Sequence, residues 1–563
     1  MIPPPTFLSD YAYRSSRTAN DEQDTAVGAK EMLGQWHLNS LGLLQRLPLE
    51  LLENILLYSD VLTIIRAQAV SQAFLDIVKT SLALQYKIEC YLADVTDTPT
   101  GNRVDLSDRR QKVRRWRKAW SRLHWSEKHT VPFRTRQTES ALCVHYTVLG
   151  DACLGEEGTF QFVRQCTELR HVSAERWTIS GLPALVKPEA WTFDVSQDVL
   201  AMLQIHDGTT LVDICFFSCK TGIPFREHGP SKISLNAHNV IFRSQLDDWD
   251  FNMRLYGNVI SLLISHGVND EEPHRELFIF NWHTREVILE LFSEPDHSVA
   301  LQDLGFIDEE HILCGGTGDD TDCIAVINHR AGLKSRMDFH TFIQSHAILI
   351  LSLPPLSPEA MFGFLNICSS PRFSYISDSG IFRARRSEPL ILIDLGIRHG
   401  DEDRLYNLII PSHVVRSRLN ASKADPNFSR KVSWDQWGLE SRLFELPIDR
   451  FGQVSGSHYL LASRVTLGPR EHERLVVCDF APKPILQHAA AVEGAEVVWQ
   501  HSVEEGATGP WERNIVTAAP YQVTVSDISI TRYDQIILMQ DGIIVIPFSG
   551  QGVYASSFDF YSF

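Results

Sequence analysis

The feature that most constrains this chain is a long series of short β-rich runs, extending from about Trp177 to Phe563. Each run is about four to seven residues and is broken by turn signals such as Asp-Gly, Gly-Asn and Lys-Thr-Gly. The runs come in pairs: WTFDVSQDVLAML with LVDICFFSCKTGIPF, LYGNVISLLIS with ELFIFNWHTREVILEL, LGFIDEEHILCGG with DCIAVIN, and FGQVSGSHYLLAS with RLVVCDFAP. ISDSGIFRARR with LILIDLGI is a weaker pair, and ITRYDQIILMQDGIIVIPF ends the series. Val, Ile, Leu and Phe are nearly continuous within the runs, as in sheets covered on both faces. One such unit cannot bury its own faces, so several must stack around an axis. The expected fold is α+β multidomain: a small helical head and helical linker, then a large all-β propeller-like domain of six or seven blades over residues 126–563. The alternative is a pair of two-sheet sandwiches. The units are spaced unevenly, so some blades carry long loops. Residues 126–176 are mixed in pattern and are not placed.

The front of the chain reads differently. Residues 1–40, with early prolines and SSRTANDEQDTAVGAK, have no hydrophobic period and are expected to be a disordered arm. From Leu41 to about Trp125 the pattern is helical, and the composition shift near 125 is the firmest boundary. Within 41–80, Pro48 suits the first position of a helix, where its missing N–H is harmless. Leu51, Leu52, Ile55 and Leu56 follow as one apolar stripe. Asp60 and Ser71 are placed to cap two further helices. Three short helices bury little surface, so part of their apolar face should meet a partner or the next domain.

Leu47-Pro48-x-Glu50-Leu51-Leu52, Ile55-Leu56, Ile64, Val70 and Phe74, in this order and spacing, resemble an F-box. Two positions depart from that pattern: Ser59 where leucine is usual and Val61 where proline is usual. LQYKIE, ADV and AWSRLHW further on resemble the segment that follows F-boxes in a group of basidiomycete fungal proteins, and FNWHTRE resembles a WD-type blade signature with Trp282 in the strand. The resemblance implies a substrate-recognition subunit of a cullin-RING (SCF-type) ubiquitin ligase. Leu47, Pro48, Leu51, Ile55, Ile64 and Val70 would then bind a Skp-family adaptor, and through it a cullin scaffold. The propeller would hold an unknown target protein. Such a subunit does no bond chemistry, needs no cofactor, and works in the cytoplasm or nucleus.

The linker 81–125 is expected to act as a helical strut. It contains Arg109, Arg110, Lys112, Arg114, Arg115, Arg117, Lys118 and Arg122 with no intervening acid. One reading is a nucleic-acid patch, with Trp116 and Trp120 stacking on bases, or a nuclear import signal. The favoured reading sets Val113, Trp116, Trp120 and Leu123 on one helical face, docked on the neighbouring domain, with the cations covering that dock. A scaffold that never assembles a ligase is the other alternative.

Composition removes several classes. The 563 residues carry 52 basic and 70 acidic side chains, a net of −18, which argues against a chain that binds nucleic acid over its whole surface. No apolar run approaches the roughly 18 to 20 residues that cross a bilayer, so no membrane partner is expected. The 10 cysteines form no CxxC pair, and buried free thiols are expected rather than a metal site. There is no HExxH, GxSxG or phosphate-binding glycine loop. Gly315–Asp322, GGTGDDTD, is read as a loop between strands, and Trp434 and Trp437 as anchors of a long insertion.

Overall fold

The computed structural model describes residues 47–562 apart from connecting segments; the longest of these are 133–141, 183–189, 238–248, 267–273, 370–379, 481–495 and 548–556. The expected arm at 1–40 lies outside the described residues. The chain divides into two compact units, at Ile88 and Glu89.

The first unit is helical. Helices α1 (Leu49–Tyr58), α2 (Val61–Val70) and α3 (Gln72–Thr80) are followed by α4 (Leu82–Leu92), which runs across the boundary. Pro48 is the N-cap of α1 rather than its first residue, and its carbonyl accepts the amides of Leu51 and Leu52. Asp60 accepts the Thr63 amide at 2.9 Å to cap α2, and Ser71 accepts the Phe74 amide at 3.3 Å to cap α3. Leu52, Leu56, Ile64, Ile77, Val78 and Leu84 form the core. The predicted stripe on α1 is therefore split: Leu52 and Leu56 turn inward, and Leu51 and Ile55 do not. Lys87 donates to the Leu57 and Ser59 carbonyls, closing the C-terminal end of α1. In so small a core a cap matters, and Ser71→Ala should lower the head's stability by about 1 kcal/mol, read by chemical denaturation.

The second unit is a seven-bladed β-propeller. Seven sheets of four or five strands appear among the described residues, antiparallel except that Arg336–Asp338 and Lys431–Val432 each add a parallel outer strand to the third and fourth sheets. Blade 1 runs from Leu142–His145 to Glu175–Ile179, and blade 2 from Trp191–Asp194 to Lys232–Asn236. Blade 3 begins at Trp249–Tyr256, blade 4 at Ala300–Phe306, blade 5 at Ala360–Ser369 and blade 6 at Gln453–Ser455. Blade 7 takes Gln535–Met539, Gly542–Ile546 and Ser557–Ser562 from the end of the chain. Its outer strand is Glu127–Pro132, paired in antiparallel register from Glu127 opposite Ser562 to Pro132 opposite Ser557. The ring is thus closed by the two ends of the propeller sequence, and Leu149 and Val163 of blade 1 pack with Ile537 and Ile544 of blade 7. Closure of this kind covers the sheet faces that the first and last blades of an open stack would expose.

Four sequence readings are corrected here. The unplaced segment 126–176 supplies the closing strand and most of blade 1. ISDSGIFRARR is not the first strand of blade 5; that strand is Ala360–Ser369, and Phe382–Ala384 pairs instead with Val95–Asp97. Trp282 lies just after its strand, in a turn held by the Asn281 side chain, which accepts the amides of His283 and Thr284. Gly315 and Gly316 of GGTGDDTD are strand residues: a side chain at Gly315 would collide with Leu365 of the next blade. Trp434 and Trp437 are buried, with rings 4.7 Å apart, and anchor the insertion as expected.

Candidate functional site

Two surfaces carry the question of function. The first is on the head. Leu51 and Ile55 are 49% and 47% exposed, Val70 57% and Tyr58 93%. Leu51, Ile55 and Tyr58 recur at i, i+4 and i+7, so they form one stripe along α1, beside the buried Leu52 and Leu56. Pro48 is also exposed and Leu47 half-buried. Ile64 is fully buried in the head's own core, so it supports the face from beneath rather than forming part of it. Exposed aliphatic side chains scattered singly mean little; a row of them on a capped helix is a candidate contact.

The second surface is set by strand direction. In each antiparallel blade, the links from first to second and from third to fourth strand emerge at one end of the ring. The second-to-third links and the links between blades emerge at the other. The first end is covered. Strand Val95–Asp97 pairs with Phe382–Ala384, from the first-to-second link of blade 5. The Arg170 side chain, from the third-to-fourth link of blade 1, donates to the Phe382 carbonyl at 3.0 Å, and the Ile381 amide donates to the Arg170 carbonyl. Blades 1 and 5 stand on opposite sides of a seven-bladed ring, so these loops meet over its axis.

The basic helix α5 (Leu106–Arg122) lies on the same end. Trp116 packs edge-on against Phe382 at 5.7 Å, Trp120 stacks on His458 at 4.1 Å, and the Ser121 carbonyl accepts from Thr524 of blade 6. Val113, Trp116, Ala119, Trp120 and Leu123 are all buried. The docked face anticipated for this segment is present, and the two tryptophans are not available to stack on bases. Arg114 and Arg117 pair with Glu89 at 3.2 and 3.3 Å, Arg109 pairs with Asp97, and Lys112 donates to the Glu168 carbonyl. Arg115, Lys118 and Arg122 face solvent, and Arg110 is half-buried. The segment from Glu89 onward belongs to the propeller unit; it is helix, strand and helix in turn, not a continuous strut.

Inside the ring a polar chain joins successive blades, and nothing in the sequence pattern announced it. Arg254 of blade 3 reaches Asp303 of blade 4 at 2.8 Å and donates to the Leu304 and Ile367 carbonyls. Asp303 also accepts the Ile367 amide at 2.7 Å, tying in blade 5. Further round, Asp394 accepts from the Asn407 side chain at 2.6 Å, and Asn407 accepts from the Tyr459 hydroxyl of blade 6 at 2.7 Å. Burial pushes the Asp394 carboxyl up to about 7, with the Asp303 charge adding to the rise and the Asn407 bond and Arg254 charge opposing it. The folded protein therefore keeps a proton that the unfolded chain releases near pH 4. Its stabilising effect is full below that pH, declines from about 4 to 7, and is gone above. Stability should fall across that window by an amount on the order of a few kcal/mol, and Asp394→Asn should flatten the slope in pH-dependent denaturation.

The other end of the ring has no such cover among the described elements. Here the innermost strands begin: Trp249 and Phe251 of blade 3 are half-buried with near-parallel rings 5.9 Å apart, and Met361 of blade 5 is exposed. Asp250, Glu359, Asp401, Glu402 and Asp403 at this end are exposed.

No known protein family matches the chain by sequence, and no curated protein matches it. Solved structures with a likeness include the WD40 domain of SCAP from fission yeast, at 8% identity over 78% of this chain and 98% of that one, with a TM-score of 0.31. The extracellular domains 1-2 of Drosophila semaphorin 1b give 7% identity over 76% and 86%, with a TM-score of 0.30. A subtype N11 neuraminidase-like protein (flat-faced bat, Peru) gives 9% identity over 72% and 92%, with a TM-score of 0.26. Likenesses this distant identify no partner or activity.

Proposed function

We propose that the chain is a non-catalytic protein-interaction receptor, and specifically the F-box-type subunit of an SCF-type ubiquitin ligase. The observation that carries this reading is the head's α1, capped by Pro48 and backed by Leu52 and Leu56, with Leu51, Ile55 and Tyr58 left on its outer side. All but Tyr58 are residues of the Leu-Pro and Ile-Leu pattern on which the F-box resemblance rests. Leu47, Pro48, Leu51, Ile55 and Val70 contact a Skp-family adaptor, and Ile64 holds the helices that present them. Each aliphatic side chain buried in such a contact stabilises it by roughly 1.5–3 kcal/mol. A stable interface needs only a few of them within about 1,200–2,000 Å².

The propeller is the receptor for the target. Holding the target near the charged ubiquitin enzyme raises its effective concentration to the order of millimolar when the link is short. The test is co-purification with the adaptor and cullin. A chain that captures neither, with its head folded, is a propeller scaffold instead. The nucleic-acid alternative loses its stacking tryptophans, because Trp116 and Trp120 are buried, and Arg109, Arg114 and Arg117 are paired within the propeller unit; Arg115, Lys118 and Arg122 stay exposed.

A further inference from the structure

We propose that the outer face of α5, the stripe formed by Arg115, Lys118 and Arg122, is a docking surface for a short acidic segment of a partner protein. The inference goes beyond the adaptor reading and does not depend on it.

The face is fixed by the one opposite. Val113, Trp116, Ala119, Trp120 and Leu123 are buried, with Trp116 against Phe382 and Trp120 on His458, so α5 is not free to turn about its axis. Gln111, Arg115, Lys118 and Arg122 recur at i, i+4, i+7 and i+11 on the other side, and all four are exposed. From Arg115 to Arg122 the stripe runs about 10 Å, at the helical rise of 1.5 Å per residue. A surface held this rigidly binds without the cost of ordering a loop.

The charge of the stripe is uncompensated. Arg114 and Arg117 share the one carboxylate of Glu89, and Arg109 has Asp97. Arg115, Lys118 and Arg122 have no carboxylate at ion-pair distance among the described residues. The only acid within α5 is Asp108, two turns before Arg115. Exposed arginines elsewhere on the propeller are taken up: Arg330 by Glu309 and Glu310, Arg398 by Asp403, and Arg513 by Asp435.

That surplus selects the occupant. Guanidinium and ammonium groups hold carboxylates by charge-assisted hydrogen bonds, and arginine can do so through two at once. A run of neighbouring Asp or Glu side chains matches a stripe of this length. Nucleic acid matches it less well. A polyanion extends past the stripe into the field of a chain of net charge −18, and Trp116 and Trp120 are buried away from any base. An anionic bilayer favours apolar side chains beside the cations, and the exposed residues of α5 are all polar.

The test uses the full-length protein and fluorescein-labelled hexaglutamate, with hexaglutamine as the neutral control, followed by anisotropy. Hexaglutamate should bind at least about tenfold tighter than hexaglutamine, by an affinity that falls as salt is raised. Arg115→Gln, Lys118→Gln and Arg122→Gln together should weaken hexaglutamate by about tenfold. The three side chains lie outside the core, so this variant should keep the wild-type denaturation midpoint. Lys220→Gln, Lys423→Gln and Lys431→Gln together change the net charge equally at other exposed sites and should leave binding within about twofold of wild type. Equal binding of the two peptides, insensitivity to the stripe variant, or an equal loss in the control variant would each overturn the proposal. Tighter binding of an oligothymidylate of equal charge, or of phosphatidylserine vesicles, lost in the stripe variant, would also overturn it, by making the stripe a nucleic-acid or membrane site.

Discussion

Replacing Ile55 with aspartate removes co-purification with the Skp-family adaptor while the head and the propeller stay folded. Ile55 is 47% exposed on α1 and is not among the six residues of the head's core. In the free protein the new carboxylate stays hydrated, so the change in stability should be within about 0.5 kcal/mol, as for other surface substitutions. In the complex the same carboxylate would be buried against an apolar partner with no counter-ion. Leaving a buried charge unpaired is destabilising by about 3–5 kcal/mol, which is a loss of affinity of roughly 100-fold or more. The measurement is affinity capture of adaptor by wild-type and variant chains, with a denaturation curve for each. Undiminished capture by a folded variant would take the head out of its proposed role. Ile64→Asp would be a poor substitute. Ile64 is wholly buried, so that change unfolds the head and loses the adaptor whatever the head does.

The second large effect is expected inside the ring. Arg254→Met leaves Asp303 buried without its cation and removes the donor that the Leu304 and Ile367 carbonyls share. The propeller should lose about 3–5 kcal/mol, read as an earlier midpoint of chemical unfolding. Arg254→Met combined with Asp303→Leu should recover part of the loss, because replacing both partners of a buried pair by apolar groups is often nearly neutral. A single variant as stable as wild type would mean that blades 3, 4 and 5 are held by apolar packing alone. Head-dependent adaptor capture offers a further control. It should survive in Arg254→Met below the unfolding midpoint, since the head has a core of its own.

The blades were legible because their signal is local. Near-continuous Val, Ile, Leu and Phe between turn residues means a strand covered on both faces, wherever it sits in the ring. Blade 5 was misread because the true first strand, Ala360–Ser369, mixes Gly363, Asn366 and Ser369 among its apolar residues, whereas ISDSGIFRARR carries a stronger turn signal. The start of the unplaced segment, Glu127–Pro132, was illegible because it is the outer strand of blade 7: it alternates half-buried and exposed residues and makes sense only beside Ser557–Ser562. In the head, Asp60 and Ser71 could be read as caps because a cap acts within three residues. Which side of α1 faces out could not, since Leu51, Leu52, Ile55 and Leu56 are chemically alike and only the packing of α2, α3 and α4 divides them.

What the sequence alone determined is therefore most of the element types, the change from helix to strand near residue 125, the caps, and the apolar face of α5, all consequences of period and short-range chemistry. The tertiary structure decided the blade count, the joining of the chain's end to Glu127, the salt link from Arg254 to Asp303, and which end of the ring is covered. Those depend on residues tens to hundreds of positions apart that meet only when strand direction and closure are fixed, and no local pattern encodes such a meeting.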